Sequence, residues 1–167
     1  MEWRFLSRLD ELNRVGVEAG RHLEAAGVGG RAAYVANLVI EELATNILKY
    51  GYDDSAVHEI LLRVEVQPGA LRLVLEDDGH PFNPLESPEP EVHLPPEERL
   101  PGGLGIHLVR KLADRVEYER AEGRNRVTVE IEVKAHHQSG AAGSGDSADR
   151  NDPPIVGRVP PRGGRET

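Results

Sequence analysis

The 167-residue sequence contains no cysteine, which removes disulfides, thiolate metal sites and thiol nucleophiles from consideration. Aromatic residues are nearly as scarce: one Trp, two Phe and four Tyr leave the core to be built from aliphatic side chains. No apolar run approaches the roughly 20 residues that a membrane-spanning helix needs. The opening Met1-Glu2-Trp3-Arg4-Phe5-Leu6 also lacks the apolar stretch and cleavage site of a secretory leader. The expectation is a cytoplasmic protein with no membrane partner. Positive charge is in deficit as well. Twenty Lys and Arg face 29 Asp and Glu, giving a net charge of −9. Residues 135–167 hold four Arg against three Asp and one Glu, so the whole excess falls on residues 1–134. Such a surface repels a phosphate backbone, and direct nucleic-acid binding is excluded on that ground.

What remains is a patterned aliphatic chain. Trp3 to Leu6 reads as a short strand, and Leu9, Leu12, Val15, Val17 or Ala19, and Leu23 then recur near helical spacing over residues 7–26. Ser7, three residues ahead of Asp10, fits a capping arrangement for that helix. A second helix follows the Val28-Gly29-Gly30 break and runs to Gly51. Period-two alternation marks strands at 59–66 and 71–75, joined through Gln67-Pro68-Gly69-Ala70 as a hairpin. Residues 80–103 lose all periodicity, carry seven of the 12 prolines and read as a lid with no strand or helix. A helix after Gly105 and two strands, about 115–120 and 125–134, close the pattern. Residues 135–167 are too poor in apolar side chains to offset ordering entropy, and a disordered tail is expected there. The domain therefore spans residues 1–134.

Chemistry concentrates in three places. On the second helix, Val35, Ala36, Val39, Ile40, Leu43, Ala44 and Ile47 form one apolar arc, and Glu42 and Asn46 border it about 40° apart, while Glu41 points about 140° away from Asn46. A carboxylate and a carboxamide at such a border either rim the stripe in water or hold a ligand that repays their desolvation. Asp77-Asp78-Gly79-His80-Pro81 stands at the end of the second hairpin strand, as a turn or as a binding loop. Gly102-Gly103-Leu104-Gly105 opens the third helix, where free backbone N–H groups and the helix dipole favour an anion.

In this order the three strings resemble the GHKL ATPases: E-x-x-x-N on a helix, then D-x-G-x-P-F-N-P after a strand, then G-G-x-G before a helix. Within that superfamily, the wording Glu42-Leu43-Ala44-Thr45-Asn46, Asp77 to Pro84 and Gly103-Leu104-Gly105-Ile106 is similar to the anti-sigma factor serine/threonine kinases. The resemblance covers residues 7–134. It implies a two-layer α/β sandwich, a mixed sheet with helices on one face and a long ATP lid. It implies ATP and Mg²⁺ as cofactors, with Asn46 ligating the metal and Glu42 as general base. Asp77 would accept from the adenine amino group, Gly79 would let the base approach, and Gly103 and Gly105 would face the phosphates. Pro81 departs from the wider superfamily by standing where a second glycine is usual. Arg99, the only Lys or Arg between Gly79 and Gly105, is the candidate phosphate contact. The implied partners are an anti-anti-sigma antagonist phosphorylated on Ser or Thr and a sigma factor held otherwise; a homodimer is left open. The alternative is a nucleotide-binding switch module without phosphoryl transfer, against which the retention of Glu42 argues.

Overall fold

The computed structural model describes residues 1–86, 88 and 104–134. They belong to a unit spanning Met1–Ala135; the expected disordered tail lies outside the described residues. The elements are β1 (Glu2–Leu6), α1 (Leu9–Ala25), α2 (Gly30–Tyr50), β2 (Glu59–Gln67), β3 (Ala70–Asp77), α3 (Leu104–Leu112), β4 (Arg115–Ala121) and β5 (Arg124–Glu132). Among the described residues a 3-10 turn, Pro84–Glu86, interrupts the stretch expected to hold no helix. Asn83 starts it, with Oδ1 accepting from Leu85 N–H at 3.0 Å. No helix among the described residues is long and apolar enough to cross a membrane.

The strands form one five-stranded sheet in the order β1-β2-β3-β5-β4. Every pairing is antiparallel, which corrects the expected mixed sheet. The reason is topological. β3 and β4 run in the same direction, but β5 lies between them and is antiparallel to both. Two helices between β1 and β2 return the chain antiparallel, and tight turns join β2 to β3 and β4 to β5. Gly69 takes the left-handed conformation at the first turn (φ +78°). Glu122 and Gly123 both have positive φ, 52° and 78°, at the second, the backbone that matches the twist of a two-residue hairpin.

α1 buries Leu12, Val15, Ala19 and Leu23. Its start differs from the expected cap: Arg8 occupies the capping position in extended backbone, and its side chain pairs with Asp10 rather than capping the helix. Ser7 instead turns to the sheet side, its Oγ accepting from His58 N–H at 3.0 Å. At the other end Gly27 is left-handed (φ +74°), Val28 N–H donates to Leu23 O and Gly27 N–H to Glu24 O, so the orphan carbonyls are satisfied and Val28 is drawn into the core. α2 buries the whole arc read from the sequence, Val35 to Ile47, with Ala32 added.

That arc meets Phe5 from β1, Ile60, Leu62 and Val64 from β2, Leu71, Leu73 and Leu75 from β3, and Val127, Val129 and Ile131 from β5. Ile106 and Val109 bring α3 onto the same face. On the opposite face, cross-strand partners form ion pairs: Arg4 with Glu59 at 2.8 Å, Arg63 with Glu2 at 2.8 Å, and Arg126 with both Glu76 at 3.0 Å and Glu119 at 3.3 Å. Leu61, Val74 and Thr128 are buried on this face as well. They sit in register beside Arg4, Glu76 and Arg63, whose stems can cover them.

Candidate nucleotide site

The aliphatic face has one polar corner. β3 alternates Leu71, Leu73 and Leu75 inward, and the next inward position is Asp77, 4% exposed. On β5 the same alternation runs Ile131, Val129, Val127 and then Asn125, also 4% exposed and paired with Asp77 in the register. Two adjacent strands thus end their apolar rows on a carboxylate and a carboxamide.

Asn125 ties the corner together. Its Nδ2 donates to Asp77 Oδ1 at 2.9 Å and to His80 O at 2.8 Å. Its Oδ1 accepts from Tyr118 OH at 2.9 Å and Arg120 NH1 at 2.8 Å, and Arg120 NH1 also reaches Gly79 O at 2.8 Å. Gly79 N–H supplies a further bond to Asp77 Oδ1 at 2.8 Å. Burial pushes the Asp77 carboxyl above its ordinary value, against the hydrogen bonds from Asn125 and Gly79; Asp78 adds to the rise and Arg120 opposes it. A buried carboxylate kept under that penalty is a candidate functional group.

Gly79 is required by space. A Cβ there would stand 2.5 Å from Gly51 O and 2.9 Å from Asp77 Oδ1. The loop can therefore lie against the end of α2, where His80 N–H donates to Gly51 O at 2.8 Å.

A pocket opens onto this corner, lined by Asn46, Ile47 and Gly51 of α2 and its end, by Asp77 and Asn125, and by His80, Phe82 and Pro84 of the following loop. One turn back along α2 from Asn46, Glu42 is half-buried while Glu41 is exposed, as the phasing of the helix requires. Gly105, at the head of α3, lies so close that a Cβ on it would overlap the Glu42 carboxylate. Asn46 and Asp77 thus share one pocket, and Glu42 and Gly105 meet one helical turn away. Arg99 and Gly103 lie outside the described residues.

The donors present fit a hard cation held by few protein oxygens. Among the described residues, no group of three His, Asp or Glu side chains could cage a metal alone. A magnesium ion commonly needs only one or two protein oxygens when substrate phosphates and water complete its shell, and the Asn46 carboxamide offers one.

Asn125, Tyr118 and Arg120 were not singled out in the sequence. The signal was there in Asn125: a polar residue at an inward position of a strand that otherwise reads Val127, Val129, Ile131.

A family model described as the histidine kinase-like ATPase domain matches residues 5–131. The serine/threonine-protein kinase BtrW of Bordetella bronchiseptica is 23% identical over 99 residues, covering 59% of this chain and 70% of that protein. The solved structure of the RsbU and RsbW domains of Rv1364c from Mycobacterium tuberculosis matches with a TM-score of 0.54 at 12% identity, over 78% of this chain. That likeness is one of fold, and the chain spans only 32% of the solved one.

Proposed function

The chain belongs to the histidine kinase-like ATPase domain family, and from that premise we propose that it is an ATP-dependent serine/threonine protein kinase of the anti-sigma type. Its substrate is a Ser or Thr hydroxyl on an anti-anti-sigma antagonist protein, and in the absence of that antagonist it sequesters a sigma factor. The observation that supports this best is the alignment along α2 of a pocket carboxylate, Asp77, with Asn46 and then Glu42 against the head of α3.

In this reading Asp77 accepts from the adenine amino group, and Asn125 holds the Asp77 carboxylate in place through Oδ1. Asn46 supplies an oxygen to Mg²⁺, which when bound neutralises charge on the β- and γ-phosphates. Gly105, at the head of α3, leaves the space in which Glu42 stands, and a helix N-terminus favours an anion such as phosphate. Glu42 takes the proton of the attacking hydroxyl as its oxygen bonds to the γ-phosphorus and the bond to ADP breaks. Because phosphoryl transfer depends mostly on positioning and charge neutralisation, a base contributes about 10²–10⁴ in rate.

The test is transfer of label from γ-labelled ATP to candidate antagonist proteins by wild type, Glu42→Gln and Glu41→Gln. Transfer lost by about 10²–10⁴ in Glu42→Gln with ATP affinity kept, and unchanged in Glu41→Gln, supports the assignment. Full transfer by Glu42→Gln refutes the base, and no transfer by wild type to any antagonist refutes the kinase.

A further inference from the structure

Two loops meet beside the pocket, and the imidazole of His58 lies between them. His58 closes the loop between α2 and β2, and its backbone is fixed: its N–H donates to Ser7 Oγ at 3.0 Å and its carbonyl accepts from Ser7 N–H at 2.8 Å. Its ring stacks on Tyr52, with centroids 3.8 Å apart and planes 10° from parallel. Nε2 lies 3.0 Å from Asp54 Oδ1, on the same loop. Nδ1 lies 3.3 Å from Asp78 Oδ1, on the residue that follows Asp77 at the exit of β3. A neutral imidazole carries one N–H and one lone pair, so it can donate to only one of these carboxylates and turns a lone pair on the other. The imidazolium donates to both.

We propose that His58 is a positioning residue for the nucleotide site: in its protonated form it bridges Asp54 and Asp78 and holds the β3 exit, with Asp77 and Gly79, in the arrangement that receives the base. The proposal rests on the ATP reading above. It makes nucleotide affinity depend on pH through a group that never touches the nucleotide.

The surroundings of the ring bear on that dependence. Tyr52 presents its ring face and its hydroxyl is buried; burial, followed by Asp77 and Asp78, pushes that phenol up, so it stays neutral. From the junction of β1 and α1 the uncharged Ser7 faces His58. His80 Nε2 and Asp53 Oδ2, 2.9 Å apart, form a second link between the same two loops, with Asp53 90% exposed and screened by water. The hydrogen bond to Asp54, then the Coulomb attraction of Asp54 and Asp78, push His58 above its ordinary value against desolvation. A folded-state value raised in this way adds stability that is complete below the unfolded pKa, about 6.5, and is lost as pH rises through the folded one. The bridge is therefore closed at pH 6 and opens only as pH rises through the raised folded-state value.

The experiment measures Mg·ATP affinity of the full chain by calorimetry at pH 6 and pH 8, for wild type and His58→Gln. The ratio of the two proteins at each pH cancels the titration of the ATP phosphates. Expected is a loss of about two- to fivefold in His58→Gln at pH 6, within what one partly exposed ion pair supports, and a smaller loss at pH 8. A ratio equal at both pH values, or no loss at pH 6, overturns the proposal. A second measurement needs no nucleotide: the midpoint of the His58 ring titration by NMR should fall in Asp78→Asn and in Asp54→Asn. An unmoved midpoint overturns the bridge. Failure of wild type to bind ATP at either pH refutes the reading of the site instead, and the ring titration still decides the bridge.

Discussion

The two faces of the sheet use polar residues in opposite ways. On the open face nearly every position that is not Leu61, Val74 or Thr128 is charged, and Arg and Glu neutralise one another across strands with their head groups in water. On the helix-covered face the rows of Leu, Ile and Val are unbroken until Asp77 and Asn125. Polarity costs little on the first face because solvent screens it. On the second it must be fully hydrogen-bonded or serve a ligand. The comparison shows why the site is found by looking for what interrupts an apolar row.

Four substitutions can break or sharpen that contrast. Leu73→Ala, at the centre of the covered face, should cost about 2–5 kcal/mol, read as a fall in the denaturant midpoint, because the cavity it leaves cannot collapse in a close-packed aliphatic layer. A loss under about 1 kcal/mol would mean that the face is loosely packed. Asn125→Ala should cost about 1–3 kcal/mol, since Tyr118 and Arg120 lose a shared acceptor and Asp77 a donor; ATP affinity should fall with it. Retained affinity would show that Asp77 is held without Asn125.

Asp77→Asn should invert the usual sign. The folded-state value of Asp77 is raised, so its ionised form costs stability at every pH above the unfolded value, and that cost vanishes as pH falls below it. The asparagine removes this cost at neutral pH. The ligand-free variant should unfold no earlier than wild type, while ATP affinity falls about ten- to a hundredfold. Loss of stability at pH 7 would make Asp77 a structural carboxylate. Arg126→Ala, on the open face, should change stability by no more than about 1 kcal/mol, and the change should shrink in 1 M salt. A larger, salt-independent loss would mean that the arginine stem, rather than its charge, roofs Val74 and Thr128.

Much of this was legible in the sequence because it is local. The phase of α2 follows from seven apolar positions, and it alone separates half-buried Glu42 from exposed Glu41. The alternation of β3 carries directly to Asp77. What depended on distant contacts was not legible. Ser7 had the chemistry of a helix cap, but His58, 51 residues on, took its hydroxyl. The sheet was expected to be mixed because the family resemblance implied it, and nothing local tells β5 to insert between β3 and β4. Asn125 looked like a strand residue, and its place opposite Asp77 exists only once that insertion is known.

That insertion also sets an order in time. β5 is the last strand of the described chain to leave a ribosome, yet it occupies an interior place in the sheet. Until Arg124–Glu132 emerge, the edge of β3 is bare, β4 has no neighbour in the sheet, and Asp77 lacks its Asn125 partner. A nascent or truncated chain that stops short of β5 therefore holds the Glu42, Asn46 and Asp77 strings without an assembled pocket, and completion of the last hairpin, rather than of the motifs, is the moment at which the site comes into being.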